Sequence, residues 1–169
     1  MVEYDVFILF GIAVFAILIF VFCIARLFGR KPQYAVLDGS NVMHWVGDEA
    51  RLDTLRTVIA QLEEVGLLSV IWFDANVGYK LGDRYVGPEA LANALKLPHS
   101  QVHVAPKGTP ADPLLLATAR KLRAPIVSND RFRDWQEEFP ELRDAAYMIR
   151  GRIQGDLISL DVREGLTAR

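Results

Sequence analysis

The chain has 169 residues, of which 51% are hydrophobic and 24% charged, and its formal net charge is −2. That length allows one domain with an appendage, and the composition excludes disordered, collagen-like and low-complexity chains. The near-neutral balance also excludes the strongly basic surface of a protein that lives on duplex DNA.

The apolar residues are concentrated at the start. Val6 to Ala25 is a run without a single charge. As a helix it rises roughly 30 Å, the thickness of a bilayer's hydrocarbon core. A core helix would carry a polar face, and this run has none. A cleaved signal peptide would begin with positive charge, whereas this start carries Glu3 and Asp5. The expectation is a retained membrane anchor over residues 6–28, with 1–31 as anchor and basic flank. Arg26, Arg30 and Lys31 follow the run, and the positive-inside rule assigns that end to the cytoplasm. Residues 32–169 would then be a cytoplasmic domain at a membrane of the bacterial inner type. Cys23 is the sole cysteine, which excludes an intrachain disulfide and a Cys-based zinc site.

Beyond Phe28, 18 Lys and Arg balance 19 Asp and Glu. Those residues alternate between two periodicities. Tyr34 to Asp38 reads as a short buried strand. Asp48 precedes a helix from Glu49 to about Val65, whose apolar positions Leu52, Leu55, Val58, Ile59 and Leu62 recur at helical spacing and which Gly66 stops. Leu67 to Phe73 is a second strand. Ala75 to Gly87 reads as a glycine-punctuated loop. Pro88 opens a helix to about Leu97. Gln101 to Ala105 is a third strand, and Pro106 to Pro110 a turn-rich loop. A helix runs from Asp112 and Pro113 to Arg123. Pro125 to Val127 is a fourth strand, and Ser128-Asn129-Asp130 leads into a helix from Arg131 to Phe139. Tyr147 to Ile149 and Asp156 to Val162 read as late strands. Alternating strands and helices predict an α/β fold with a mainly parallel sheet, whose ligands bind beyond the C-terminal ends of the strands.

Acids collect on that rim. Asp38 closes the first strand, Asp112 opens the helix after the third, and Asp130 follows the fourth. Asp134, one helical turn further, shares a face with Asp130. Alone, Asp112 or Asp130 reads as a helix cap and Asp134 as a solvated surface residue. Asp38 is different, because no helix is expected after it to cap. Carboxylates that converge in this way repel one another unless a cation neutralises them, and hard oxygen ligands suit Mg²⁺ or Mn²⁺. A cation so held can orient a water and stabilise charge on a phosphoryl group. Asn41 and Ser128 can hydrogen-bond the carboxylates or metal-bound water. Lys80, Arg84, Lys107 and Arg131 border the rim and are candidates for meeting phosphates. Asp74 also ends a strand there, although a turn-forming role explains it equally well. His44 could touch substrate or pack with Trp45, and His99 and His103 lack metal-ligand spacing.

The segments VLDGSNV (Val36 to Val42), WFDA (Trp72 to Ala75), APKGTPADPLLLATA (Ala105 to Ala119) and PIVSNDRFRDW (Pro125 to Trp135) together resemble the NYN branch of the PIN-like nucleases. The nearest type is the Regnase-type ribonuclease domain, over about residues 34 to 160. The resemblance implies a three-layer, Rossmannoid sheet with helices on both faces. It also implies a metal-dependent endoribonuclease that attacks single-stranded RNA with a metal-activated water. Carried over by position, Asp38, Asp112, Asp130 and Asp134 would bind the metal, with Asn41 and Ser128 supporting them. Two departures stand out. Ala111 and Pro113 flank Asp112 where Regnase-type domains often set two acids side by side, and no Cys-rich zinc finger follows. RNA, the membrane and a second copy of the chain are the partners this reading allows.

Other classes fit less well. A haloacid-dehalogenase-type phosphatase needs a second Asp at the position of Ser40. A dinucleotide-binding domain needs a richer glycine turn than Asp38-Gly39-Ser40-Asn41. A diffusing toxin-type PIN nuclease would not carry an anchor. The alternatives that remain are an inactive membrane-tethered RNA-binding or scaffolding module and a general metal-dependent phosphodiesterase. A pure RNA binder gains nothing from an acidic rim.

Overall fold

The computed structural model describes residues 14–15, 17–20, 32–82 and 84–162. The chain divides into two units, Met1–Pro32 and Gln33–Arg169. In the first, Val14, Phe15 and Ile17 to Phe20 are helical and exposed. Most of the apolar run expected to anchor the chain lies outside the described residues. Among the described residues, no helix is long and apolar enough to cross a membrane.

The second unit is built on five strands. Strand β1 (Gln33–Asp38) carries the fully buried triplet Ala35-Val36-Leu37. An unbroken apolar run of this kind marks a parallel strand covered on both faces. It pairs in parallel with β2 (Leu67–Phe73) on one side and β4 (Ile126–Val127) on the other. Strands β3 (Val102–Val104) and β5 (Met148–Ile149) complete the parallel sheet in the order β3-β2-β1-β4-β5. The strand order reverses between β1 and β4, and the crevice beyond such a reversal is where α/β sheets bind ligands. An antiparallel hairpin, β6 (Gly151–Gln154) and β7 (Leu157–Leu160), follows.

Alternation along the strands divides the core into two layers. Ala35, Leu37, Ile71 and Phe73 face α2 (Leu52–Glu64) and α4 (Pro88–Leu95), where they meet Leu55, Val58, Leu62 and Leu91. Val36, Val70 and Ile126 face α5 (Ala111–Leu122), where they meet Leu115, Leu116 and Ala119. The sheet therefore has helices on both faces.

Local chemistry moves several elements from their expected bounds. Asp38 is followed by a short helix, α1 (Gly39–Val42), which its side chain caps, so the expectation that it had no helix to cap is corrected. Helix α2 starts at Leu52 rather than Glu49. Gly47 takes φ +86°, and the Arg51 N–H is tied back to the Met43 carbonyl at 3.0 Å, so residues 43–51 close a turn before the helix begins. Gly66, at φ +79°, stops it as expected. The loop expected from Ala75 to Gly87 contains α3 (Val77–Gly82). Its two glycines mask the helix in the sequence, and burial of Val77 holds it in place. The helix expected over Arg131 to Phe139 is absent. The Asp130 carboxylate accepts the Phe132 N–H at 2.9 Å, and Phe132 turns to φ 47°, leaving only a 3-10 turn at Arg133–Trp135. That turn, not one face of an α-helix, carries Asp134.

Candidate functional site

Asp38 is the last residue of β1 and stands half-buried at the strand reversal. Its register neighbours are Trp72 on β2 and, one step past the Leu37–Val127 pair on β4, Ser128. One carboxylate oxygen accepts the Asn41 N–H at 3.0 Å. The other accepts the Ser128 hydroxyl at 3.1 Å, and that hydroxyl oxygen accepts the Asp130 N–H at 3.0 Å. Burial pushes the Asp38 carboxyl up to about 6. The two donors, Asn41 and Ser128, pull it down, and Asp112 and Asp74 push it further up. Desolvation wins because two hydrogen bonds replace only part of the water a carboxylate loses.

Tight backbone passage brings these groups together. A Cβ on Gly39 would lie 2.5 Å from a ring carbon of Phe73 and 2.8 Å from Ile71, so the turn after Asp38 crosses β2 only as glycine. The Asp74 N–H donates to Ser40 Oγ at 2.9 Å, tying the end of β2 to that of β1. Asn41 works through its backbone toward Asp38. Its side-chain oxygen instead accepts Trp45 Nε1–H at 2.8 Å and the Asn129 N–H at 3.0 Å, bracing the Ser128–Asp130 turn rather than facing a carboxylate.

Asp112 is the second residue of α5, not its cap, and its first-turn position is favoured by the helix dipole. Trp135 Nε1–H donates to it at 3.3 Å. Burial raises its pKa, the Trp135 bond lowers it, and the negative charges of Asp130, Asp74 and Asp134 raise it again. Asp38 and Asp112 each feel the other or a shared neighbour, so all four predicted acids and Asp74 lie in one electrostatic neighbourhood. Asp130 and Asp134 are exposed. Among the described residues, no group of three or more His, Cys, Asp or Glu is drawn close enough to hold one metal ion. The donor chemistry nevertheless fits a hard divalent cation: carboxylate oxygens, with the pKa of Asp38 and of Asp112 raised by burial and by neighbouring acids, and no cation among the hydrogen-bond partners of these two.

Of the predicted basic residues, Lys80 approaches Asp74 at 3.6 Å, and Arg84, Lys107 and Arg131 are exposed. The histidines find partners of other kinds. His44 meets the Asp48 carbonyl at 3.1 Å, His99 meets Asn93 at 3.2 Å, and His103 stacks on Trp72 with ring centroids 4.8 Å apart. Burial lowers the His103 pKa.

Four residues of the site escape the sequence pattern. Arg150, just past β5, donates from Nη1 to the carbonyls of Ser128, at 2.8 Å, and of Asp130. Asn129 exchanges two hydrogen bonds with Gly151, at 3.0 and 3.1 Å. Trp135 and Trp45 orient Asp112 and Asn41. Arg150 alone carries a usable signal, as a charge directly after a strand on the binding rim.

A parallel three-layer sheet with carboxylates gathered at its strand reversal defines a PIN-like α/β domain. Residues 31–165 match the Zc3h12a-like Ribonuclease NYN domain, and the chain belongs to that family. In three dimensions it is similar to nuclear proteinaceous RNase P 2 (PRORP2) from A. thaliana, at 19% identity and a TM-score of 0.59 over 77% of this chain and 30% of that one. A second structure of Arabidopsis thaliana nuclear protein-only RNase P 2 gives 20% identity and 0.56, over 90% and 35%. The chain thus spans about a third of the length of these structures, and at such identities the likeness concerns the fold. No curated protein matches the chain.

Proposed function

We propose that this protein is a metal-dependent endoribonuclease that cuts single-stranded RNA, held at the cytoplasmic face of a membrane by residues 6–28. Residues 32–169 are its nuclease domain. The observation that carries the reading is Asp38, a desolvated carboxylate at the strand reversal with Asp112 and Asp74 pressing on it. Membership of a ribonuclease family supports the same conclusion.

Asp38, Asp112, Asp130 and Asp134 would hold Mg²⁺ or Mn²⁺. When bound, the cation supplies positive charge to the phosphoryl oxygens and lowers the pKa of water. The chain's own groups do the positioning. Asn41 N–H and the Ser128 hydroxyl hold both Asp38 oxygens, Trp135 holds Asp112, and Arg150 fixes the turn that carries Asp130. Lys80, Arg84, Lys107 and Arg131 meet the flanking phosphates.

The test is cleavage of one RNA oligonucleotide by the full-length protein in detergent, with Mn²⁺, Mg²⁺ or EDTA. Cleavage should require the cation and vanish in Asp38→Asn. Wild-type rates in that variant would sink the assignment. Equal cutting of DNA and RNA would leave a general phosphodiesterase in its place, and binding without cutting an RNA-tethering module.

A further inference from the structure

Among the Phe, Tyr and Trp side chains of the described residues 33–162, Tyr79 and Tyr85 are the exposed ones, at 60% and 67%. Both lie on the segment that follows Asp74 at the end of β2. Tyr79 lies on α3, whose first turn grows directly from the end of β2: the Val77 N–H donates to the Asp74 carbonyl at 3.1 Å. The next residue, Lys80, reaches the Asp74 carboxylate at 3.6 Å.

Tyr85 lies on the returning chain. Gly78 permits the approach, because a Cβ there would overlap the Arg84 carbonyl oxygen and the Val86 amide nitrogen and would lie 3.0 Å from the Tyr85 carbonyl carbon. The backbone at Arg84, Tyr85 and Val86 therefore lies directly against Gly78, which Tyr79 follows. The Tyr85 side chain is close to Gly87, with its Cε1 and hydroxyl oxygen 3.6 and 3.7 Å from where a Cβ of that residue would be. Each tyrosine has a cation as its sequence neighbour, Lys80 for Tyr79 and Arg84 for Tyr85. The fold thus brings the backbone of Arg84 to Val86 against α3 just past Asp74, with an exposed tyrosine and a neighbouring cation on each of the two segments.

We propose that Tyr79 and Tyr85 are a stacking platform for the bases of single-stranded RNA entering the acidic rim, with Lys80 and Arg84 on the adjoining phosphates. This rests on the ribonuclease reading above and specifies how its substrate is held. An unpaired strand offers base faces that a duplex keeps stacked inside. Rings take any base, since every base has a π-face, and basic side chains track the backbone between them. A domain of nearly neutral charge needs such a contribution, because phosphate contacts alone would have to overcome the acids of the rim.

The experiment is binding of a labelled twelve-nucleotide oligouridine to the full-length protein in EDTA, by fluorescence anisotropy. An abasic strand of the same length and a strand carrying 2-aminopurine run beside it. Tyr79→Ala and Tyr85→Ala should each weaken oligouridine binding by about 5- to 150-fold, while the Phe variants stay within about twofold of wild type. Affinity for the abasic strand should not change, and quenching of 2-aminopurine should be lost in the Ala variants and kept in the Phe variants. Unchanged oligouridine binding in both Ala variants overturns the platform, as does equal loss on the abasic strand or equal loss in Phe. If wild type cleaves RNA, Asp38→Asn does not, and the Ala variants bind normally, the platform falls and the ribonuclease reading stands. If wild type neither binds nor cleaves single-stranded RNA, the ribonuclease reading itself falls, and the platform with it.

Discussion

Asp38 carries the strongest conflict in the molecule. Folding lifts its pKa from 3.8 to about 6, so between those values the folded chain binds more protons than the unfolded one. Stability from this group therefore falls as pH rises from about 4 to 6 and stays lower above. Asp112, raised by the same burial, acts in the same direction. Without added cation, Asp38→Asn should melt higher than wild type at pH 7.5 and equal to it near pH 4. Mg²⁺ should raise the wild-type melting temperature more than the variant's, which scanning calorimetry measures. Asp112→Asn should abolish cleavage yet keep RNA binding through the basic and aromatic residues. Ser128→Ala removes the donor to Asp38 and the acceptor of the Asp130 N–H in a fully buried position, and should cost about 1–3 kcal/mol in urea unfolding. The positions of Asp38, Asp112 and Asp130 were legible in the sequence because each ends or follows a strand or opens a helix on the rim, whereas Asp134 was expected on a helix that does not form. Trp135 was not legible, since what it does is donate to Asp112, 23 positions away.

Elements were legible where burial and local propensity agree. Strand β2 begins and ends where its apolar run does, and the stripe of α2 is the buried stripe of the structure. They were illegible where one tertiary contact overrules propensity. Arg131 to Phe139 lacks a breaking residue, yet the Asp130–Phe132 bond and the left-handed Phe132 stop it from becoming a helix. Helix α3 has two glycines and forms nonetheless, because Gly78 is where the returning chain must pass. Gly78→Ala should push that chain away, lower the unfolding free energy by about 1–3 kcal/mol and weaken RNA binding with it. An unaltered melt and unaltered binding would mean that the close approach is dispensable.

At the scale of the whole molecule, a neutral domain and a polyanionic substrate predict weak electrostatics. With two to four phosphate contacts, each adding roughly 0.7, the slope of log K against log salt should be shallow, as a salt titration of oligonucleotide binding will show. The same oligonucleotide annealed to its complement should be cut more slowly, since a rigid A-form helix hides its bases. The anchor proposed for residues 6–28 predicts that the protein stays in the membrane pellet after a carbonate wash, and a reporter fused after Arg169 should report the cytoplasm. The sequence by itself determined the layered α/β order, the rim on which the acids fall and the apolar run at the start, because these depend on periodicity and on which end of a strand a residue occupies. Only the tertiary structure decided that Asp38 is desolvated, that Asn41 braces a turn through its side chain, that Arg150 fixes the turn of Asp130, and that the backbone at Tyr85 packs against Gly78, next to Tyr79. Each of these depends on the approach of segments distant along the chain, and solvent exclusion and backbone contact exist only once the sheet has assembled.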